Sequence, residues 1–353
     1  MNDQDSQGRY EALLLVSFGG PEGMDDVMPF LDNVLRGKNV PVERKMAVAE
    51  HYYRFGGISP FNESNRKLIA ALKPLIEETG PRLPIYWGNR NWHPMLADTI
   101  RQMANDGIRK ALAFVTAAYS SYSSCRQYQE NIFEACKIVG AASPRIDKVR
   151  AFYNHPGFVE ANADNLSCAL ANIPPEKRES ARIVFSAHSI PESMAAGCTY
   201  GAQLLEVSRL VTLAAGCSNQ WQVAYQSRSG PLSQPWLEPD ILSCIETLKE
   251  QGAEDLVVVP IGFISDHMEV VYDLDTEAKA LSRKLGMNFI RAATVGTHPR
   301  FIKMVNELID ERLGGLTPRQ ALGKYGPCED FCPVDCCPMG RSQPASSVGT
   351  AVH

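Results

Sequence analysis

Two stretches of the chain place residues able to move protons and hold a metal at what read as strand ends. In "RIVFSAHSIPES", His188 closes an apolar run and is followed by Pro191. A neutral imidazole, whose unperturbed pKa is about 6.5, serves near neutrality as a base or as a metal ligand. A lone histidine in such a place is also commonly a satisfied structural residue. The second stretch, "IGFISDHMEVVYDLDTEAKAL", shifts that balance. It sets Asp266, His267 and Glu269 at a strand-to-helix junction, and Glu269, Asp273 and Glu277 recur at i, i+4 and i+8. On a helix these three make one ridge of carboxylates. No Lys or Arg interleaves before Lys279 and Arg283, so the ridge repels itself unless a cation sits on it. A solvated acidic face is the plainer alternative. Carboxylate together with imidazole suits a hard or borderline divalent cation.

Two further sets carry other chemistry. Arg36, Arg54, Arg66, Arg90 and Arg126 stand among aromatic and small residues in "NVLRG", "HYYRFGGISPFNESNR", "GNRNW" and "SSCRQYQENI". Arg grips carboxylates in a bidentate fork, and Tyr and Phe supply flat walls. Gly19-Gly20 and Gly56-Gly57 let backbone approach a flat ligand. The set suits a bulky planar polycarboxylate, although each Arg alone is explained by a surface loop. The last set is sulfur. Of the 10 cysteines, Cys125, Cys136, Cys168, Cys198, Cys217 and Cys244 are scattered, whereas Cys328, Cys332, Cys336 and Cys337 crowd together near the C-terminus. The opening "MNDQDSQGRY" lacks the basic and apolar regions of a secretory signal, so the expected location is cytoplasmic. In a reducing compartment, clustered cysteines point to soft-metal ligation rather than disulfides, and the scattered ones to small buried hydrophobes.

The elements that must position these residues read as α/β. A length of 353 residues with 44% hydrophobic content predicts two domains. Candidate strands are Ala12–Ser17, Ile85–Gly88, Ala111–Thr116, Arg182–Ser186, Gln222–Gln226 and Leu256–Ile261, three in each half. Amphipathic stretches at Leu96–Met103, Gln203–Ala215, Ile241–Glu250 and Thr276–Leu285 read as helices between them. "YWGNRNWHPMLADTIRQMANDGIRKALAFVTAAYSS" and "AYQSRSGPLSQPWLEPDILSCIETLKEQGAEDLVVVPIGFISD" share one plan, which suggests two similar lobes. Chemistry-bearing residues follow each strand, so a cleft beyond the strand ends is the expected site. A net charge of -5 gives no basic field to collect nucleic acid. The strongest apolar run, nine residues from Leu256 to Ile264, is too short to cross a bilayer.

Seven motifs, in order, carry a family resemblance: "LLVSFGGPEG", "HYYRFGGISPFNESNR", "YWGNRNWHP", "YSSYSSCRQYQENI", "VFSAHSIP", "YQSRSGP…PWLEPD" and "VPIGFISDHMEVVYDLD". The chain from about Ala12 to Leu313 resembles the ferrochelatase family, in its actinobacterial, coproporphyrin III branch. The resemblance implies two Rossmann-like lobes, each a four-stranded parallel sheet flanked by helices (the chelatase fold), with a porphyrin cleft between them. It implies an N-terminal lobe over 1–155, a C-terminal lobe over 156–315, a Cys-rich segment over 316–340 and a disordered tail over 341–353. The implied activity is insertion of Fe(II) into coproporphyrin III, giving coprohaem and two protons. Protoporphyrin IX is the alternative substrate, and a non-catalytic haem or porphyrin carrier the alternative of another class. The intact pair His188 and Glu269 opposes the carrier.

By the same resemblance, His188 takes pyrrole protons, binds the metal, or both. Glu269, with Asp273 and Glu277 behind it, hands Fe(II) in. Tyr52, Ser59 and Tyr128 contact the porphyrin, and Arg36 and Arg54 serve its propionates. A transient handover to the next haem-biosynthesis enzyme is the implied protein partner, with neither nucleic acid nor a membrane span. Phe18 stands where firmicute members place a Tyr, His51 where they place an Arg, and Tyr225 where animal enzymes carry a Trp; no apolar lip is evident. Several ferrochelatases resemble this chain in carrying a [2Fe-2S] cluster on four thiolates. Cys168 is the candidate internal ligand, with three of Cys328, Cys332, Cys336 and Cys337 completing the set. A four-cysteine zinc site is the alternative.

Overall fold

A computed structural model describes residues 9–38, 40–79, 82–231, 233–314, 318–333 and 335–340. Among them, eight strands form two parallel sheets. The first contains β1 (Ala12–Ser17), β2 (Ile85–Asn89), β3 (Lys110–Val115) and β4 (Arg145–Lys148), in the order β2-β1-β3-β4. The second contains β5 (Arg182–His188), β6 (Trp221–Gln226), β7 (Asp255–Val259) and β8 (Asn288–Arg291), in the order β6-β5-β7-β8. The two orders are the same when counted from the first strand of each sheet, as the shared sequence plan of the halves requires. Parallel strands need crossover helices, which cover both faces, so central strands must be apolar throughout. β1 (ALLLVS) and β7 (DLVVV) are buried along their whole length.

β4 and β8 escape the sequence reading. Each is four residues long, RIDK and NFIR, and lies at a sheet edge without an apolar run. Pairing with β3 and β7 makes them strands. The helix Ile241–Glu250 falls where periodicity puts it, and Leu96–Asn105 and Tyr200–Ala214 differ from expectation only at their ends. The expected helix at Thr276 begins earlier: helical turns run over 268–284, and Val271–Ala278 within them is a π-helix.

The strand order dictates where a ligand sits. In each sheet the direction of winding reverses between the first strand and the third, and the crevice beyond their carboxyl ends is the site such sheets offer. In the second sheet those strands are β5, which ends on His188, and β7, which leads into the loop before Glu269.

One apolar cluster runs through both lobes and includes Phe114, Phe152, Phe158, Ile183, Val257 and Phe301. The helix Pro299–Leu313 returns from the second sheet to pack on the helices Pro156–Leu170 and Phe61–Thr79. Beneath it lies a bidentate ion pair, with Arg150 Nε and Nη2 donating to Glu311 at 2.8 and 2.9 Å. Their side chains are only 1% and 3% exposed. The following segment docks along the molecule. Leu322 N donates to Asn154 O, Asn154 Nδ2 to Gly326 O, Lys324 N to Glu206, and Arg126 Nη1 to Cys336 O. Pro338 lies so close to Gly197 that a Cβ there would meet it at 2.7 Å. The tail expected to be disordered, 341–353, lies outside the described residues. No described helix is long and apolar enough to cross a membrane.

Removing one partner of a buried pair strands the other charge in the interior. Glu311→Ala is therefore expected to destabilise the fold by about 3–5 kcal/mol in denaturant unfolding. Glu254→Ala, which breaks a fully exposed, solvent-screened pair with Lys177, should cost far less. Equal losses would show that the buried pair does not tie the returning helix down.

Candidate active site

His188 ends β5 with its ring facing the cleft. Tyr200 donates its hydroxyl to the His188 carbonyl at 3.0 Å, and the ring Nδ1 lies 2.5 Å from Ser189 O. A carbonyl can only accept, so Nδ1 carries a proton and Nε2 is the nitrogen presented to the cleft. Glu269 faces it there, with His188 Nε2 3.7 Å from Glu269 Oε1. The side chains keep 33% and 48% of their area open through the cleft mouth, although both sit deep in the molecule. Burial alone depresses an imidazole pKa, but the Glu269 carboxylate outweighs it and raises His188 to about 9. Burial likewise opposes ionisation of Glu269, and the His188 charge overrides it, lowering Glu269 to about 2. At neutral pH the pair is an imidazolium against a carboxylate.

The ridge behind this pair forms as its spacing predicts. Glu269 lies in the turn Met268–Val270, and Asp273 and Glu277 follow in the π-helical stretch Val271–Ala278. Asp273 is pushed up to about 7, chiefly by burial, with the charges of Glu269 and Glu277 adding to it against a hydrogen bond from Ser227. Glu277 is raised by burial and by Asp240. Burial thus does most to make Asp273 hold a proton near neutral pH, and the neighbouring carboxylate charges add to it. Gln226 and Ser227, at and just beyond the end of β6, hold it from the side. Gln226 Nε2 donates to Glu269 O at 3.0 Å and to Asp273 Oδ2 at 3.3 Å, and the Ser227 hydroxyl donates to the same carboxylate. His267 is a cap: its Nδ1 accepts from Glu269 N at 3.2 Å. The "YQS" motif signalled Gln226 and Ser227, but nothing in a single sequence showed them reaching a helix that begins more than forty residues later.

The other expected contacts divide. Tyr52 borders the pair, since burial and the Glu269 charge both raise its pKa. Arg54 and His51 reach across from the first lobe onto the π stretch. Arg54 Nη1 donates to the Tyr272 hydroxyl at 3.4 Å, and the His51 ring stacks on Tyr272 at 3.6 Å and 10°. Ser59 is buried against Gly20. Tyr128 is buried beneath Arg90, whose guanidinium lies 4.7 Å from its ring centroid and 5.5 Å from that of Phe18. Arg90 thus covers the ring of Tyr128. Arg36 is exposed and bonds to Asn33. Met24, Met46, Phe55 and Ile58 are exposed around Arg54 and Ser59, so the first lobe does carry apolar surface that the sequence did not reveal as a lip.

Among the cysteines, the placement of Cys168 needs correction. It is exposed on the helix Pro156–Leu170, and its thiol has no partner among the described residues. The thiol brought to the tail is Cys125. It lies within electrostatic reach of Cys328, Cys332 and Cys337, while Cys336 and Cys337 have their sulfurs 3.4 Å apart. Arg126, next to Cys125, holds the Cys336 carbonyl. Burial raises the thiol pKa values of Cys328, Cys332 and Cys337. No described group of three or more ligand side chains is close enough to hold a metal ion as it stands. "YSSC" sits beside "RQYQ" in one of the family motifs, and that was the available signal for Cys125.

Two sheets of the same order with a proton-binding, carboxylate-lined crevice define the chelatase class. The sirohydrochlorin chelatase SirB from Bacillus subtilis subspecies spizizenii, solved with cobalt, shares this fold with a TM-score of 0.51 at 13% identity, over 87% of this chain and 98% of that one. The chain matches the ferrochelatase family over residues 10–313. It is 54% identical over 345 residues to a ferrochelatase of Rhodopirellula baltica, across 98% of each chain. It is 49% identical over 360 residues to a coproporphyrin III ferrochelatase of Streptomyces coelicolor, across 96% of each. The chain belongs to the ferrochelatase family, lyases that insert iron into a porphyrin in haem biosynthesis.

If Glu269 is what holds the proton on His188, Glu269→Gln leaves burial largely unopposed. The His188 pKa should then fall from about 9 to near or below 6.5, as read by histidine NMR titration. A value still near 9 would assign the proton to another source.

Proposed function

We propose that this chain inserts Fe(II) into coproporphyrin III, with His188 and Glu269 as the groups that touch the reacting centre. The observation that carries the reading is their opposition across the crevice at 3.7 Å. Insertion replaces two pyrrole N–H protons by one Fe(II), so each turnover must export two protons. Nε2 of His188 faces the cleft and takes a pyrrole proton only when neutral. In the resting pair it is charged, held so by Glu269. Fe(II) arriving on the Glu269 carboxylate removes that hold, and His188 releases its Nε2 proton to solvent. As base, the freed nitrogen takes the two pyrrole protons one after the other and passes each to solvent; as ligand, it holds Fe(II) while they leave to water. Metal entry and base activation are thereby one event. Asp273 and Glu277 stand behind Glu269 as delivery groups, and their proton affinity makes iron displace protons as it passes.

The relatives of the same name in Streptomyces support coproporphyrin III over protoporphyrin IX. So does the chemistry of the cleft wall. Coproporphyrin III carries four propionates, and Arg54, Arg90 and Arg36 offer guanidinium charge on the first-lobe side. On the same reading Tyr52, which borders Glu269, together with Ser59 and Tyr128, contacts the porphyrin. Release to the next enzyme of haem synthesis, by transient contact at the exposed apolar rim, fits a product that stays soluble. A cytoplasmic location accords with this chemistry. Steady-state kinetics with both porphyrins test the substrate. The expected result is a kcat/KM at least about tenfold higher for coproporphyrin III, which needs only about 1.4 kcal/mol of extra binding in the transition state. A higher value for protoporphyrin IX would overturn the assignment.

The cysteine segment fits a thiolate-held [2Fe-2S] cluster by donor chemistry, with Cys125 and three of Cys328, Cys332, Cys336 and Cys337 as its holders. Such a group supplies one-electron chemistry and a staple between the docked segment and the first lobe. Purified protein should be reddish-brown, and Cys125→Ser should lose the visible absorption while Cys168→Ser keeps it. Loss in Cys168→Ser alone would restore Cys168, and a colourless protein with stoichiometric zinc would replace the cluster by a zinc site.

A further inference from the structure

We propose that Arg291 is a positioning residue for iron handling, dividing the acidic segment over 266–277 into carboxylates that hold backbone and carboxylates left free for the metal. The inference rests on the reading of Glu269 as the group that receives iron. The segment carries five acids, Asp266, Glu269, Asp273, Asp275 and Glu277, with His267 and no Lys or Arg. Arg291 ends β8, the edge strand that the sequence reading missed. Its guanidinium uses every edge. Nη1 and Nη2 donate to Asp266 at 3.1 and 3.0 Å, and Nε donates to Asp275 at 2.7 Å. Thr294 adds a hydroxyl to Asp266 at 3.1 Å. The arginine side chain is 17% exposed, and the two acids about one-third.

Asp266 lies in the loop before the helix, and Asp275 lies inside the π-helical stretch. One rigid planar cation therefore spans the two ends of the segment whose middle bears Glu269 and Asp273. A guanidinium is suited to this because its donors are fixed relative to one another, whereas an ammonium is a single point charge on a flexible stem. The opposite side of the same segment is held by Gln226 and Ser227. With Asp266 and Asp275 engaged by Arg291, the acids of the segment that this arginine leaves unengaged are Glu269, Asp273 and Glu277, Asp273 still accepting from Gln226 and Ser227. Second-layer partners of metal-binding groups commonly change metal affinity without touching the metal.

The test compares full-length Arg291→Met, Arg291→Lys and Asp275→Asn with wild type and with Glu269→Gln. It uses anoxic Fe(II) titrations at saturating porphyrin, porphyrin affinity from fluorescence, and melting temperature. Arg291→Met should raise the KM for Fe(II) by about 10–100-fold while porphyrin affinity stays within about twofold. Arg291→Lys should fall between it and wild type, and Asp275→Asn, which frees only the π stretch, should move in the same direction by less. A purely structural arginine would lower the melting temperature and the active fraction without changing KM for Fe(II). That result in Arg291→Met, with Glu269→Gln altering iron dependence, overturns the proposal and leaves the reading of Glu269 intact. Unchanged iron dependence in Glu269→Gln overturns both. If Arg291→Met does not fold, a wild-type KM for Fe(II) in both Arg291→Lys and Asp275→Asn overturns the proposal.

Discussion

The opposed charges of His188 and Glu269 are what the rest of the molecule serves. Neither group would hold its resting state alone, because burial pushes the imidazole towards neutrality and the carboxylate towards protonation. Together they reverse both tendencies. The price is that the base is switched off until something displaces its partner. A cation does this, and the site admits one along a ridge that is itself short of positive charge. Proton and metal therefore compete for the same few oxygens and one nitrogen, which suits a reaction that exchanges protons for a metal ion.

Holding a side chain at a strand end and one on a helix at that separation needs a rigid frame. β5 and β7 are adjacent in the sheet, and the reversal of winding between them opens the crevice that the two groups share. Gln226, Ser227 and Arg291 then fix the helix that carries Glu269 from two sides. The first lobe closes on this helix through His51 and Arg54 against Tyr272. The returning helix Pro299–Leu313, anchored by the buried Arg150–Glu311 pair, ties that lobe to the second. Each of these contacts joins residues far apart in the chain, and together they fix His188 and Glu269 relative to the first lobe.

Much of this was legible in the sequence. His188 and the i, i+4, i+8 carboxylates announced themselves because strand ends and helical ridges are local patterns. The apolar runs of β1 and β7 did so because a strand covered on both faces must be apolar throughout. β4 and β8 were hidden for the converse reason: RIDK and NFIR become strands only when a neighbour supplies the ladder. Arg291 was hidden with β8. Which scattered cysteine the tail approaches was not legible, because that depends on where the segment beyond Leu313 docks. The Arg126 bond to the Cys336 carbonyl, which brings the tail to Cys125, is a contact across more than two hundred residues. The guanidinium of Arg90 over the Tyr128 ring was hidden in the same way, since nothing local shows that contact.

The central claim is that the cleft-facing nitrogen of His188 is required for the chemical step and not for holding the porphyrin. His188→Ala separates these most directly, measured as porphyrin affinity by fluorescence alongside anoxic Fe(II) insertion by the same preparation. The account predicts porphyrin binding close to wild type with insertion reduced by at least about 10²-fold, the scale of a lost general base. Insertion at the wild-type rate, with the variant folded and porphyrin bound, would contradict it.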